Sequence, residues 1–173
     1  MNKKIVIISF VIFLSLTSII FAQDIIAKVF LYPSSAKKIV GSVLSVNVNV
    51  ANVSNLYGYD FKLYYDTRIL DINNVTEGSF LKGKGSTFFK VKEMRDNYNS
   101  THGRIWFYST MLSPAPPASG SGTVAIIEFK GVKAGTATIN LYDTKLVNSN
   151  SGKIDNNIAG GYYEFNTITS KYV

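Results

Sequence analysis

The chain has 173 residues, 46% of them hydrophobic, with a formal net charge of +7, eleven Tyr, eleven Phe, one His and no Cys. The lack of Cys excludes disulfides, Cys-His catalysis and the usual zinc sites. The basic residues are scattered and accompany no basic helix or RNA-binding motif, so we expect no nucleic-acid partner.

The first 22 residues have the layout of a secretory signal peptide. The basic head MNKK precedes an uncharged apolar segment over residues 5–21, and polar residues follow Ala22. We expect cleavage after Ala22 and a secreted or cell-surface protein. An uncleaved membrane anchor is the alternative, although spanning a bilayer takes about 20 apolar residues. Three N-glycosylation sequons follow, at Asn52, Asn74 and Asn99. They matter only if the host glycosylates exported proteins.

Alternation of apolar and polar residues predicts strands along the rest of the chain. It is clearest over residues 43–66, where two strands flank the turn formers Val53-Ser54-Asn55. The full set of predicted strands is 25–32, 43–53, 56–66, 69–76, 87–94, 104–111, 123–132, 136–142, a short segment at 145–147, and 162–166. Residues 78–85, 95–103, 113–122 and 148–157 are predicted loops. No window sustains helical periodicity, so about nine short strands predict an all-β sandwich.

The same alternation predicts which side chains form the core, since every second residue of a strand faces inward. The sandwich is predicted to occupy residues 23–166, with a tail over residues 167–173. The predicted inward set is Val46, Val48, Val50, Tyr59, Phe61, Leu63, Ile105, Phe107, Ala125, Ile127, Phe129, Ile139 and Leu141.

Catalytic and metal-binding chemistry has little support in the sequence. His102 lies in the loop NYNSTHG without a nucleophile motif, which disfavours a serine triad. The strand carboxylates Asp60 and Glu128 occupy outward positions, which disfavours a glycosidase pair. Residues 148–152 and Asp155 suggest a calcium loop, but a single carboxylate and no closing Glu favour a polar hairpin. We therefore predict no enzyme, no cofactor and no metal site.

Three stretches share their order and spacing with a known family. They are residues 41–80, which begin GSVLSVNVNV, residues 103–112, GRIWFYSTML, and residues 119–141, SGSGTVAIIEFKGVKAGTATINL. Gly160-Gly161 before the last strand also fits. In these features the chain resembles a cohesin domain, the module that binds dockerins in cellulosome-type assemblies. The resemblance extends over residues 25–166.

The resemblance implies a nine-stranded jelly-roll sandwich without a catalytic centre. It also implies a dockerin-binding face on the sheet that holds strands eight, three, six and five. Asp60 matches a polar position used for dockerin contact, whereas Gly58 departs from the polar residue that cellulosomal cohesins often carry. The partner-binding residues implied on this chain are Gly58, Asp60, Lys62 and Tyr64 on the third strand, Trp106, Tyr108 and Thr110 on the sixth, and Thr136, Thr138 and Asn140 on the eighth.

The resemblance and the surface aromatics leave three functions open. An exported protein-binding module with a dockerin-like partner is favoured. The chain shows no scaffoldin linkers or neighbouring modules, so a stand-alone, non-cellulosomal domain is expected. A carbohydrate-binding module is the first alternative, because Trp106, Tyr108 and Tyr64 could stack on sugar rings. A structural or adhesive domain of the cell surface is the second.

Overall fold

A computed structural model describes residues 26–168 of the chain. The predicted signal peptide and most of the predicted tail lie outside these residues. The elements are β1 Ala27–Tyr32, β2 Ser35–Ile39, β3 Val43–Asp66, β4 Leu70–Glu77, α1 Ser79–Lys82, β5 Thr87–Arg95, β6 His102–Met111, β7 Ala118–Gly131, β8 Gly135–Asn148, β9 Lys153–Ile154, β10 Asn156–Ala159 and β11 Gly161–Asn166. In the part described, no helix is long and apolar enough to cross a membrane.

The strands form two packed layers that share the long strand β3. Residues 43–56 of β3 pair with β7, and residues 47–51 pair with β1 on the other side. Residues 58–66 pair with β6, and residues 56–65 pair with β8. The back sheet therefore has the order β4-β7-β3-β1-β10, and the front sheet the order β5-β6-β3-β8-β11-β2. The predicted all-β sandwich is confirmed, with eleven strands within residues 26–168 where about nine were expected.

The core lies between the two sheets and is rich in aromatic side chains. Every residue of the predicted inward set is buried, and the most exposed, Leu141, is 5% exposed. The Phe61 ring stacks on Tyr59 with centroids 4.8 Å apart and meets Phe107 edge-on at 5.9 Å. The buried Tyr59 hydroxyl donates a 2.7 Å hydrogen bond to the Val124 carbonyl of the back sheet. Apolar packing and a satisfied polar group thus join the two layers.

The turn predicted at residues 53–55 is wrong, because β3 continues through it. Asn52 and Asn55 adopt positive φ angles of 56° and 58°, which short polar side chains tolerate better than most. Their backbone amides donate to the hydroxyls of Ser121 and Ser119 at 3.2 and 2.9 Å. These irregularities bend the strand from the back sheet into the front sheet, where a turn would have reversed it.

Other departures concern short and edge strands. The predicted break between 136–142 and 145–147 is absent, since β8 is continuous with a register shift. The strand β7 begins at Ala118, inside the predicted connection 113–122. The edge strand β2 lies where no strand was predicted, and β9 and the first half of β10 lie in the predicted loop 148–157. The short helix α1 lies in the predicted loop 78–85. A strand at the edge of a sheet with solvent on both faces lacks the alternation of apolar and polar residues by which a half-buried strand is recognised.

Candidate protein-binding face

The outward side chains of β5, β6, the second half of β3 and β8 lie in rows across the front sheet. We call this surface the front face. The rows follow from the strand register, because directly opposed residues point to the same side of the sheet. From β5 to β8 they are Phe88, Thr110, Gly58 and Val147; Lys90, Tyr108, Asp60 and Lys145; Glu93, Trp106, Lys62 and Asp143; and Arg95, Arg104, Tyr64 and Asn140.

Trp106 lies at the centre of the front face and is held by three polar neighbours. Its indole Nε1 donates a 2.8 Å hydrogen bond to Asp60 Oδ1. The ammonium groups of Lys62 and Lys92 lie 4.6 and 3.6 Å from the indole ring centroid, in cation–π contact. These two lysines project from the strands on either side of β6. The indole is therefore fixed in orientation and already carries two cationic neighbours.

Two ion pairs flank the indole. Lys62 Nζ lies 2.5 Å from Asp143 Oδ2, and this hydrogen bond raises the pKa of Lys62 and lowers the pKa of Asp143. Arg104 Nε donates to Glu93 Oε1 at 3.1 Å, and Arg104 Nη2 donates to Glu93 Oε2 at 2.5 Å. This two-pronged bond lowers the pKa of the Glu93 carboxyl. Both pairs are partly buried, so they order the surface beside Trp106.

The Glu93 pair predicts a pH dependence of stability. A carboxyl whose pKa is depressed by folding stabilises the fold above its unfolded pKa of about 4.3 and loses that contribution as pH falls through the folded pKa. The difference in free energy of unfolding between the parent and Glu93→Gln should therefore be constant above about pH 5 and shrink below about pH 4. Urea unfolding across this range measures it. A difference that stays the same down to pH 2 would contradict the assignment.

A second aromatic cluster lies at the end of the front face nearest His102. The Tyr64 ring stacks on Tyr142 with centroids 4.1 Å apart and contacts Tyr98 at 5.1 Å. The Arg104 guanidinium lies 4.2 Å from the Tyr98 ring centroid, and the His102 ring lies 6.5 Å from Tyr64, edge-on. His102 is thus packed at the margin of an aromatic cluster.

The structure brings together most of the predicted site residues, but not those at the start of β8. Asn140 lies directly opposite Tyr64, at the margin of the front face. Thr136 and Thr138 are outward on the same sheet, but they pair with Glu164 and Tyr162 of β11, beyond the end of β3. A register shift between Leu141 and Asp143 resets the alternation in β8. Residues missing from the sequence prediction but present on the front face are Phe88, Lys90, Lys92, Glu93, Arg95, Arg104, Asp143, Lys145 and Val147.

A hollow of about 430 Å³ opens on the front face above Gly58, and we call it the Gly58 hollow. It exists because Gly58 has no side chain in the row between Thr110 and Val147. Its lining comprises Tyr57, Gly58, Tyr59, Asp60, Tyr108, Ser109, Thr110, Lys145, Val147, Asn148, Ser149 and Ser151. The hollow therefore combines aromatic and aliphatic walls with a charged rim.

The segment considered as a calcium loop is a polar turn between β8 and β9. The Asn148 side-chain oxygen accepts hydrogen bonds from the amides of Asn150 and Gly152 at 2.9 and 2.8 Å. Asp155 pairs with Lys153 at 2.7 Å. Across residues 26–168, no group of three or more His, Cys, Asp or Glu side chains is arranged to hold a metal ion.

Comparison with known proteins gives one family. The model of the cohesin domain matches residues 8–161. Among solved structures, a non-cellulosomal cohesin from the archaeon Archaeoglobus fulgidus is 14% identical with a TM-score of 0.62, covering 84% of this chain and 94% of its own. A Clostridium thermocellum cohesin solved in a cohesin–dockerin complex is 14% identical with a TM-score of 0.67, covering 83% and 95%.

A type II cohesin from the cellulosome of Acetivibrio cellulolyticus is 19% identical with a TM-score of 0.64, covering 79% of this chain and 95% of its own. Among curated proteins, none matches the chain. The solved structures share the sandwich fold, and the family match extends over most of the sequence. The chain belongs to the cohesin domain family.

Proposed function

We propose that the chain is an exported, non-catalytic module that binds a dockerin-like protein through its front face. The proposed module spans residues 23–166 of the mature chain. Family membership supports it, since several similar solved structures are cohesin–dockerin complexes. The observation that carries the proposal is the network around Trp106, in which Asp60, Lys62 and Lys92 order an aromatic surface on the strands β8, β3, β6 and β5.

The front face has the composition of a protein interface. Aromatic side chains and Arg are enriched at such interfaces, and a few well-packed ones supply most of the binding energy. Tyr108 is half-buried in the central row, next to Asp60, with the Phe88 ring 6.3 Å away. In the ion pairs beside Trp106, each charged group already has a partner of opposite charge. A protein that covers these pairs therefore does not bury an unpaired charge. A preordered surface of this kind favours a rigid protein partner.

Polysaccharide binding is the second candidate, and the rings at the end of the front face favour it. Tyr98 and Tyr142 are 37% and 40% exposed and could present a surface to a sugar. Trp106 suits this role less well, because stacking on a sugar needs an accessible ring face and its indole contacts two ammonium groups. We therefore favour the protein partner.

Parallel binding experiments distinguish the two candidates. The mature protein is immobilised and exposed to the native secretome, and its retention on insoluble cellulose and chitin is measured beside it. We expect a dockerin-bearing protein to be retained, and binding to be lost in Tyr108→Ala. If the ligand is a polysaccharide, Tyr98→Ala and Tyr142→Ala should reduce retention on cellulose or chitin while Asp60→Ala does little. Retention of neither kind of ligand would contradict both functions.

Export makes a separate prediction about the N-terminus. If a signal peptidase cleaves after Ala22, the mature protein begins at Gln23. N-terminal sequencing of material secreted by the native host is the measurement. An intact Met1 on protein recovered from the membrane fraction would instead support the uncleaved anchor.

A further inference from the structure

The space above Gly58 is a consequence of the residue type, because the backbone there does not require glycine. Gly58 is not among the glycines with positive φ. A Cβ built at this position would lie 3.1 Å from the backbone carbonyl oxygen of Ser109 and 3.4 Å from Thr110 Oγ1, so a side chain there requires its neighbours to move by a few tenths of an ångström. A larger side chain at position 58 would occupy the hollow at the cost of that shift. Glycine instead leaves an open concavity in the end row of the proposed binding face, between β6 and β8.

The rim of the Gly58 hollow offers one acceptor and one donor to an occupant. Asp60 uses Oδ1 to accept from Trp106, and its carboxylate has further acceptor capacity. Lys145 is the cross-strand partner of Asp60, and its side chain is 61% exposed. Its ammonium group lies 4.0 Å from Asp143 Oδ2, and its three N–H donors leave capacity for a further acceptor. Tyr108 and Val147 line the hollow between these charges. The matching occupant has a flat apolar body and a tip that both donates and accepts a hydrogen bond.

The charges of the front face narrow the choice of occupant. A guanidinium or ammonium group can donate to Asp60, but it meets Lys145 and a surface rich in cations. A carboxylate is repelled by Asp60, and an indole only donates, so it offers Lys145 no acceptor beyond Asp143. A phenol hydroxyl donates to a carboxylate and accepts from an ammonium group. The cations are Lys62, Lys90, Lys92, Arg95, Arg104 and Lys145, and the carboxylates are Asp60, Glu93 and Asp143.

We propose that the Gly58 hollow receives a tyrosine side chain of the protein partner. This inference rests on the proposed function, whose partner and face it makes more specific. The ring packs between Tyr108 and Val147, and the hydroxyl donates to Asp60 and accepts from Lys145. Tyrosine is one of the side chains that most often dominate the binding energy of protein interfaces, where it fills such depressions.

A displayed library tests the inference without the native partner. The dockerin of the Clostridium thermocellum complex serves as the scaffold, randomised at its cohesin-contacting positions, and clones are selected on the mature protein. We expect the enriched clones to share one tyrosine. Gly58→Leu, which fills the hollow, should weaken their binding about tenfold or more. The control is Ser45→Leu, which adds the same side chain to an exposed position of β3 in the back sheet and should leave binding unchanged.

Thermal unfolding shows whether Gly58→Leu is folded. If it is not, a second variant tests the same inference. Lys145→Ala leaves the hollow open and removes the donor at its rim. It should weaken tyrosine clones several-fold, but not the same clones in which that tyrosine is replaced by phenylalanine.

The possible outcomes separate this inference from the proposed function. Enriched clones that need Tyr108 but share no tyrosine, or that bind Gly58→Leu as tightly as the parent, would overturn the inference and leave the proposed function standing. A selection that enriches no clone would count against both.

Discussion

Phe61→Ala should lower the free energy of unfolding by about 3–5 kcal/mol, the usual cost of removing a large aromatic side chain from a core. Phe61 is 0% exposed and lies between Tyr59 and Phe107, with ring centroids 4.8 and 5.9 Å away. Truncation removes these contacts and leaves a cavity in a core that two rigid sheets enclose. The loss is a large share of the roughly 5–15 kcal/mol that stabilises a typical domain.

Urea unfolding of the mature protein measures this effect. Ser45→Ala is the matched control, since Ser45 lies on the same strand with its side chain exposed, and a substitution there should change stability by less than about 0.5 kcal/mol. A melting temperature of Phe61→Ala equal to that of the parent would show that this ring does not occupy the core.

Asp60→Ala should weaken binding of the protein partner by about 1–4 kcal/mol if Asp60 is a hot spot. The substitution removes the acceptor that orients the Trp106 indole, and it removes the carboxylate at the rim of the Gly58 hollow. Titration calorimetry with the retained partner measures the change. Asp60→Asn should lose less, because its side-chain oxygen can still accept from the indole.

The matched control for Asp60 is Glu128→Ala. Glu128 lies in the central part of β7 in the back sheet, where its carboxylate is half-buried and faces outward. Its removal should leave affinity unchanged. Equal affinities of Asp60→Ala and the parent would exclude Asp60 from the interface.

The sandwich was predictable from sequence because its central strands are half-buried. Residues such as Val48 and Phe61 alternate with polar neighbours over long segments, so their inward direction follows from the period of a strand. The same alternation correctly placed Asp60 and Trp106 outward. Predicting the contact between these two residues also requires the register between β3 and β6, and that register depends on residues distant in sequence.

Other features depend on interactions that local sequence does not encode. The Asn residues at 52 and 55 suit a positive φ, and a positive φ serves a turn and a strand irregularity equally well. The strands β2 and β10 form by parallel pairing with β11 and β1, far away in the sequence. The register shift in β8 moves Asp143 and Lys145 into the rows of the front face. Simple alternation continued from Thr136 gives no sign of that shift.

The choice between the two outer faces of the sandwich can be tested with one pair of variants. Tyr108 is a half-buried aromatic side chain on the front face, and Phe30 is its counterpart on β1 of the back sheet, where Lys28 Nζ lies 5.4 Å from the ring centroid. Both variants remove a half-buried, outward aromatic ring, one from each outer face of the sandwich.

Titration calorimetry of the retained protein partner against Tyr108→Ala and Phe30→Ala is therefore the most direct measurement. Binding through the front face predicts that Tyr108→Ala loses about 1–4 kcal/mol of binding free energy, while Phe30→Ala binds like the parent. Loss of affinity in Phe30→Ala with full affinity in Tyr108→Ala would show that the partner binds elsewhere on the domain.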